Sequence, residues 1–212
     1  MAVDPSEWRT YLVTQESIST GRSTLEIVEA ALEGGIDVVQ LREKEMSAHD
    51  RYELGRTLRD RTRAAGVPLI VNDRVDLALA IDADGVHVGQ SDLPVPVARE
   101  LLGSDRIVGC SASTVAEARR TEADGADYLG VGAVYGTSSK DVDPDEDGIG
   151  PQRIATITDA VSIPVVGIGG ITAENARAVR EAGAAGVAVI SEITTADDPK
   201  TATERLRRAC QL

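Results

Sequence analysis

Short runs of β-branched and other apolar residues alternate with segments of helical periodicity about eight times along this 212-residue chain. Apolar runs of this length are typical of buried strands, and strands that alternate with helices are typical of βαβ units around a parallel sheet. We predict strands at residues 11–14, 37–41, 69–72, 85–88, 107–111, 128–133, 165–169 and 186–191. Eight parallel strands, each followed by a helix, form a (β/α)8 TIM barrel.

Apolar positions spaced three and four residues apart predict the helices between these strands. The predicted helices cover 23–32, 48–65, 95–102, 114–123, 151–160, 173–182 and 201–210, with a short helical turn at 76–80. Ser47, Thr114 and Thr172 stand where N-cap side chains are expected, and Glu117 completes a capping box with Thr114. No linker divides the chain, so we expect residues 1–212 to form one barrel domain.

Polar residues gather where the predicted strands end. In barrels of this type the C-terminal face of the strands carries the active site, whereas the opposite face mainly stabilises the fold. The polar positions on that face include 40–44, Asn72, Asp73, Asp92, Ser111, 137–140, Gly170 and 190–191. The pattern therefore predicts one site at the C-terminal face.

Lysine is scarce in this chain, which contains only Lys44, Lys140 and Lys200. Lys44 ends the run Gln40-Leu41-Arg42-Glu43-Lys44, and Lys140 ends the hydroxyl-rich run Thr137-Ser138-Ser139-Lys140. A compact ammonium group suits point-charge contacts to phosphate oxygens. These two runs are the segments best suited to hold phosphate.

Glycines after predicted strand seven indicate a further phosphate site. Gly169 and Gly170 end that strand, and Ile190 and Ser191 end strand eight. Glycines let backbone N–H groups approach an anion, and barrels often bind phosphate between the loops after strands seven and eight. A tight turn without a ligand is the alternative interpretation.

Asp73 and Asp92 follow adjacent predicted strands and could hold Mg²⁺, which proteins usually bind through one or two carboxylates together with substrate phosphates and water. Alternatively, each could cap the helix that follows it. Because Arg42, Lys44 and Lys140 lie on the same face, we favour a metal–diphosphate clamp, which would neutralise a departing diphosphate.

Other chemistries receive little support from the sequence. Cys110 and Cys210 lack disulfide or zinc spacing. His87 lies within an apolar strand and is interpreted as a buried barrel histidine, and His49 lies in a helix and is expected to be exposed. The acidic segment 141–148 resembles a calcium loop only at its start, because Ile154 replaces the bidentate glutamate that such a loop requires.

The net charge of −13 argues against binding to nucleic acid or to a membrane surface, both of which are polyanions. No apolar run approaches the roughly 20 residues that cross a bilayer, and we expect a cytoplasmic protein.

The acidic, lysine-poor and aromatic-poor composition is similar to that of proteins from salt-loving archaea. The sequence leaves open whether the chain forms a homo-oligomer.

The chain resembles the thiamine phosphate synthase family along nearly its whole length. The resemblance rests on Gln-Leu-Arg-Glu-Lys at 40–44, Asn-Asp-Arg at 72–74, Gly-Val-His-Val-Gly-Gln-x-Asp at 85–92, Gly-Gly-Ile-Thr at 169–172 and Val-Ile-Ser at 189–191. It implies a Mg²⁺-dependent transferase that joins 4-amino-2-methyl-5-(diphosphooxymethyl)pyrimidine to a thiazole phosphate carboxylate. The products are thiamine phosphate, diphosphate and CO₂.

The resemblance also implies roles for individual residues. It assigns the diphosphate to Gln40, Leu41, Arg42, Glu43, Lys44, Asn72 and Lys140, and Mg²⁺ to Asp73 and Asp92. Ser111 would contact the pyrimidine, and the thiazole phosphate would contact Thr137, Ser138, Ser139, Gly170, Ile190 and Ser191. Arg42, Lys44 and Lys140 are the expected catalytic cations, because cleavage of the carbon–oxygen bond leaves a pyrimidine carbocation and a charged diphosphate.

Two departures from the family pattern lie in the loop after strand six. The family usually has Pro-Thr-x-Thr-Lys there, whereas this chain has Gly136-Thr137-Ser138-Ser139-Lys140. Serine keeps the second hydroxyl, but glycine loosens the loop, so we expect the affinity for thiazole phosphate to be affected.

Two rival functions are a thiazole tautomerase of the same superfamily and a non-catalytic sensor of a phosphorylated ligand. Neither needs a metal–diphosphate clamp. The presence of Asp73, Asp92 and Lys140 therefore favours the synthase.

Overall fold

The structure is a computed structural model that describes residues 4–136 and 148–212. The predicted site residues Thr137, Ser138, Ser139 and Lys140 lie outside the described residues, as does most of the acidic segment 141–148.

The eight predicted strands form a closed parallel barrel, which confirms the predicted fold class. Each strand pairs in parallel with the next, and the last pairs with the first. The strands are β1 (Thr10–Val13), β2 (Val38–Leu41), β3 (Leu69–Asn72), β4 (Gly85–Val88), β5 (Ile107–Ser111), β6 (Tyr128–Val131), β7 (Val165–Ile168) and β8 (Gly186–Val189).

Helices follow the strands and cover the outside of the barrel. In the described part of the chain they are α1 (Thr24–Glu33), α2 (Ala48–Ala65), α3 (Val75–Ala80), α4 (Val95–Leu102), α5 (Val115–Ala123), α6 (Gly150–Thr158), α7 (Ala176–Glu181), α8 (Ser191–Thr194) and α9 (Pro199–Ala209). Short 3-10 helices at Pro5–Glu7 and Glu16–Ile18 were not predicted. Helix α8 was also missed, because the sequence interpretation extended the last strand to residue 191.

The predicted caps are confirmed at two of three positions. The Ser47 hydroxyl accepts a hydrogen bond from the Asp50 backbone at 3.1 Å, and Thr114 forms the predicted capping box with Glu117. The prediction at Thr172 is wrong, because α7 begins at Ala176 and its N-cap residue is Asn175. The Asn175 side chain accepts the Thr172 backbone N–H at 2.9 Å, which closes a turn before the helix begins.

Alternate strand residues divide the core into two layers. Tyr11, Val13 and Val38 pack inside the barrel, whereas Leu12 and Val39 pack between the barrel and the helices. The inside and outside positions alternate because side chains along a strand point to opposite faces. This alternation places functional side chains at every second position of the strand ends.

Both cysteines are buried and free. Burial raises the pKa of the Cys110 thiol and raises that of Cys210 to about 11, so both thiols are protonated and unreactive at neutral pH.

Within the described ranges, no helix has the length and apolar character needed to cross a bilayer.

Candidate active site

The side chains of residues 40–44, at the end of β2 and just after it, point in different directions. Gln40 points into the barrel, where its Nε2 donates to the Tyr11 hydroxyl at 2.7 Å. Leu41 packs in the layer between barrel and helices, so only its main chain could reach a ligand at the C-terminal face. Arg42 is half-buried, and its guanidinium donates to the Gln15 side chain at 3.3 Å.

Lys44 reaches across to the end of the next strand. Its Nζ lies 3.2 Å from the Asp73 carboxylate, and its side chain is 56% exposed. The exposure leaves room for the ammonium group to contact a ligand as well. Lys44, with Arg42, also borders a cleft of about 450 Å³ beside the end of β2.

Glu43 points away from these cations and holds the loop in place. Its buried carboxylate accepts hydrogen bonds from the Glu16 backbone N–H at 2.9 Å and from the Thr24 hydroxyl at 2.8 Å. These hydrogen bonds join the loop after β2 to the 3-10 helix at Glu16–Ile18 and to the start of α1. The geometry of Glu43 is that of a positioning residue.

Asp73 and Asp92 converge at the ends of β3 and β4. Asp73 adopts a left-handed backbone conformation (φ 63°), and its N–H donates to the His87 carbonyl at 2.9 Å. Non-glycine residues rarely adopt this conformation, and such exceptions cluster at functional sites. Burial and the neighbouring Asp92 carboxyl together raise the pKa of Asp73, although Lys44 acts in the opposite direction.

Neither aspartate caps a helix, which removes the alternative interpretation of the pair. Helix α3 begins after Arg74 and α4 after Pro94, and neither has a side-chain cap. Asp92 instead closes its own turn by accepting the Gly89 N–H at 2.6 Å.

The aspartate pair fits a divalent cation. Two carboxyl groups this close repel each other when both are ionised, and a cation between them would relieve that repulsion. Within residues 4–136 and 148–212, no group of three or more His, Cys, Asp or Glu side chains could hold a metal ion. Mg²⁺ needs no such cage, because it takes one or two carboxylates and completes its shell with phosphate oxygens and water.

Asn72 and Ser111 face the same end of the barrel. Asn72 is the last residue of β3 and pairs in register with His87. The Ser111 hydroxyl lies 3.0 Å from His87 Nε2, and its carbonyl accepts a hydrogen bond from Gln90 at 2.7 Å. The predictions that His87 is buried and His49 exposed are confirmed.

The glycine pair after β7 packs against the start of the loop after β6. Gly170 has a φ of 61°, and a Cβ at this position would lie 2.4 Å from the Gly136 carbonyl oxygen. The Tyr135 N–H donates to the Gly169 carbonyl at 3.0 Å. Gly136, the last described residue before residue 148, therefore lies beside Gly170.

Ile190 and Ser191 begin α8 at the end of β8. Ile190 is buried inside the barrel, whereas Ser191 is exposed as the first residue of the helix. A short extra helix after β8 is a common part of phosphate sites in barrels.

Two backbone hydrogen bonds join the two ends of the loop after β6. The Ile149 N–H donates to the Ala133 carbonyl at 3.0 Å, and the Gly150 N–H donates to the Val134 carbonyl at 2.9 Å. These bonds connect the start of α6 to the residues that follow β6, so the loop leaves and re-enters the barrel at one point.

Comparison with known proteins identifies relatives over nearly the whole chain. The family model described as thiamine monophosphate synthase matches residues 10–193. Thiamine-phosphate synthase of Natronomonas pharaonis is 63% identical over 201 residues, which cover 95% of this chain and 94% of the relative. Thiamine-phosphate synthase of Haloarcula marismortui is 60% identical over 206 residues, covering 97% of this chain and 98% of the relative.

A solved structure agrees with these sequence matches. Thiamine phosphate pyrophosphorylase from Pyrococcus furiosus superimposes with a TM-score of 0.88 at 41% identity. The match covers 97% of this chain and 96% of the other.

Proposed function

The chain belongs to the thiamine monophosphate synthase family, and we propose that its C-terminal face catalyses the thiamine-phosphate synthase reaction with the residues described above. The activity is that of a transferase, in which a pyrimidine diphosphate and a thiazole phosphate carboxylate give thiamine phosphate. The observation that carries the assignment of the site is the convergence of Lys44, Asp73 and Asp92 at the ends of three successive strands.

The diphosphate is held at the ends of β2 and β3. Arg42 and Lys44 supply positive charge, and Asn72 donates a hydrogen bond from the end of β3. Asp73 and Asp92 would hold Mg²⁺, which when bound would neutralise diphosphate oxygens and make the group a better leaving group. Lys140 adds a further cation from the loop after β6. Glu43 acts by holding the loop that carries Arg42 and Lys44.

The two organic groups are held on either side of this clamp. Ser111 contacts the pyrimidine from inside the barrel. The resemblance assigns Gln40 to the diphosphate, but its side chain points into the barrel, so we propose that it contacts the pyrimidine instead. The phosphate of the thiazole would be bound between Gly170 and the residues Ile190 and Ser191, by backbone N–H groups of these two turns. Thr137, Ser138 and Ser139 complete this part of the site.

The reaction requires positive charge beside the diphosphate as it leaves. The carbon–oxygen bond of the pyrimidine substrate breaks, and its electron pair leaves with the diphosphate. The lone pair of the thiazole nitrogen then forms the new carbon–nitrogen bond. The carboxylate is lost as CO₂, and a proton from water takes up the electron pair that the broken carbon–carbon bond leaves on the thiazole group. Arg42, Lys44 and Lys140 stabilise the charge that develops on the leaving group, a task that fixed cations perform well in a site shielded from water.

The acidic composition supports a function in concentrated salt. The chain carries 35 acidic and 22 basic residues, and two of its relatives are haloarchaeal. We place the protein in the cytoplasm on the basis of its charge and its phosphorylated substrates.

The proposal is tested by measuring diphosphate release from purified protein with both substrates, with one substrate omitted, and with and without Mg²⁺ in molar KCl. Release that requires both substrates and Mg²⁺ is the expected result. Isomerisation of the thiazole without diphosphate release would indicate a tautomerase, and binding without turnover would indicate a sensor. Either result would contradict the proposed function.

A further inference from the structure

Asn175 and Glu192 hold the loop after β7, which comprises residues 169–175, from two sides. Asn175 is the last residue of this loop, and Glu192 follows Ser191 on α8. The loop carries Gly170, and α8 begins at Ser191, so the two side chains lie at the two turns where the thiazole phosphate is proposed to bind. Neither side chain belongs to the predicted set of substrate contacts.

Asn175 folds back over its own loop. Its Oδ1 accepts the Thr172 N–H at 2.9 Å, and its Nδ2 donates to the Gly170 carbonyl at 3.0 Å. Asn175 is the N-cap residue of α7, but in the described structure its side chain makes no capping hydrogen bond to that helix. Its amide group instead joins the two sides of the turn that follows the glycine pair.

The orientation of this amide group follows from its two partners. A backbone N–H can only donate a hydrogen bond, and a backbone carbonyl can only accept one. The amide oxygen must therefore face Thr172, and the amide nitrogen must face Gly170. The opposite orientation would bring two donors together at Thr172 and two acceptors together at Gly170.

Glu192 joins the same loop to α8. Its carboxylate accepts the Ala173 N–H at 3.1 Å, and the side chain is half-buried. Glu192 comes directly after Ser191 in the helix, and Ala173 lies shortly after Gly170 in the loop. The bond therefore connects the turn at the end of β7 to the turn at the end of β8.

The loop needs such restraints because it starts with two glycines. Gly169 has a φ of 103° and Gly170 has a φ of 61°, both in the region that glycine adopts most readily. Two adjacent glycines also have many other conformations open to them, in which their N–H groups point elsewhere. A turn that has to be ordered when a phosphate binds would bind that phosphate less tightly.

The carbonyl groups of both glycines are directed to donors of the protein. The Gly169 carbonyl accepts the Tyr135 N–H at 3.0 Å, and the Gly170 carbonyl accepts from Asn175. A carbonyl oxygen that faced a phosphate would repel it, whereas an N–H group attracts it. Because a trans peptide group holds its C=O and N–H in opposite directions, the bond from Asn175 also fixes the direction of the Ile171 N–H.

We propose that Asn175 and Glu192 are positioning residues for the thiazole phosphate. This inference rests on the function proposed above. Asn175 holds the conformation of the glycine turn, and Glu192 holds that turn beside α8. Neither residue acts on the bond that breaks, so their loss should weaken the binding of thiazole phosphate and leave the departure of the diphosphate nearly unchanged.

The proposed role of Glu192 requires its oxygen atom and not its charge. The bond to the Ala173 N–H needs an acceptor, whereas a negative charge near a phosphate opposes phosphate binding. Glu192→Gln keeps an acceptor oxygen and removes the charge, whereas Glu192→Ala removes both. Comparison of these two variants therefore separates the hydrogen bond from the charge.

The Asn175 variants test the glycine turn. Asn175→Ala removes both hydrogen bonds, and we expect the KM for thiazole phosphate to rise by about tenfold or more. The kcat and the KM for the pyrimidine diphosphate should each stay within about threefold of wild type. Asn175→Asp places a carboxylate oxygen against the Gly170 carbonyl. It should raise the KM for thiazole phosphate at least as much as Asn175→Ala does, although aspartate is close to asparagine in shape.

The Glu192 variants test the connection to α8. Glu192→Ala should raise the KM for thiazole phosphate by about fivefold or more, because one hydrogen bond between the two turns is lost. Glu192→Gln should keep this KM within about twofold of wild type or lower it. Neither variant should change the KM for the pyrimidine diphosphate by more than about twofold.

Glu122→Ala is a matched control at the other end of β7. The Glu122 carboxylate accepts the N–H groups of Ser162 at 2.7 Å and of Ile163 at 3.2 Å, in the loop that leads into this strand. This is the same kind of contact on the opposite face of the barrel. The control variant should lower the melting temperature and leave the KM for thiazole phosphate within about twofold of wild type.

The experiment measures initial rates of diphosphate release in molar KCl, with each substrate varied in turn, for wild type and these variants. Circular dichroism and melting temperatures establish that each variant is folded. If Asn175→Ala does not fold, the comparison of Glu192→Ala with Glu192→Gln still tests the inference.

The inference is overturned if the KM for thiazole phosphate is unchanged in a folded Asn175→Ala or Glu192→Ala variant, or if the KM values for both substrates rise together. It is also overturned if Glu192→Gln behaves like Glu192→Ala, or if Glu122→Ala raises the KM for thiazole phosphate equally. An active wild type with unchanged variants overturns this inference alone. A wild type that releases no diphosphate overturns the proposed function as well.

Discussion

The ammonium group of Lys44 lies 3.2 Å from the carboxylate of Asp73, and this contact joins the loop after β2 to the loop after β3. Asp73 also faces Asp92, whose carboxyl raises the pKa of Asp73. One carboxylate therefore contacts both the Lys44 ammonium group and the Asp92 carboxyl group. A diphosphate carrying Mg²⁺ would satisfy both sides of this arrangement.

Removal of either carboxylate of the proposed metal site should abolish most of the turnover. We expect Asp73→Ala and Asp92→Ala each to lower kcat by on the order of a hundredfold or more, because each removes a contact that matters most as the diphosphate departs. Far-ultraviolet circular dichroism should show an intact fold. The measurement is a Mg²⁺ titration of diphosphate release, and wild-type activity of both variants at low Mg²⁺ would disprove the clamp.

Lys140→Arg should be poorly tolerated although it preserves the charge. A planar guanidinium does not replace a compact ammonium group at a confined phosphate site. Lys200→Arg is the control, because Lys200 lies at the start of α9, where it is exposed and forms a surface ion pair with Glu33 at 3.2 Å. Steady-state kinetics with both substrates varied would measure the difference. Equal activity of the two variants would mean that Lys140 has no special role.

Proline is the usual family residue at this position of the loop, but Gly136→Pro should not improve the binding of thiazole phosphate. Gly136 has a φ of 76°, whereas a proline ring holds φ near about −65°. We expect the variant to lose at least about 1 kcal/mol of unfolding free energy, or about 2–4 °C in melting temperature, and to bind thiazole phosphate no more tightly.

Gly66→Ala is a control for the cost of backbone conformation alone. Gly66 has a φ of 70°, and no atom lies within 4 Å of a Cβ placed there. It should lose stability without any change in the KM for thiazole phosphate. A proline variant with wild-type stability and a lower KM would contradict the conformation described for Gly136.

The stability of the fold should depend strongly on salt. With 35 acidic and 22 basic residues, unscreened repulsion opposes the compact state. We expect the melting temperature to rise by on the order of 5–10 °C between low and molar KCl. Sucrose at matched osmolality separates charge screening from general solute exclusion. A melting temperature that does not change with KCl concentration would contradict the inference that the fold needs salt. It would leave the enzymatic assignment unchanged.

The sequence predicts well those features that follow from position along a strand. Asp73 and Asp92 were placed at the same face because parallel strands end together, and the structure brings their carboxyls close to each other. The direction of Glu43 could not be predicted, because it depends on hydrogen bonds to Glu16 and Thr24, which lie in another loop and helix.

Other features depend on contacts across the barrel. The hydroxyls of Tyr11 and Tyr128 meet although the residues are 117 positions apart, and no local pattern contains this pairing. The signals that could have suggested it are the two tyrosines at inward strand positions and the glycines at 109 and 130, in a chain with few aromatic residues. Helix α8, with four residues, is too short to produce a periodic pattern.

The paired backbone bonds between Ala133 and Ile149 and between Val134 and Gly150 make the segment between them a replaceable unit. The two ends of this segment are held together by these bonds. Doubling its length would add only about 0.6 kcal/mol to the entropic cost of bringing its ends together. Sequence changes there need not be matched by changes in the barrel strands. An acidic insert suited to one salt concentration could therefore be exchanged for one suited to another, while β6, β7 and the Gly169–Gly170 turn stay as they are.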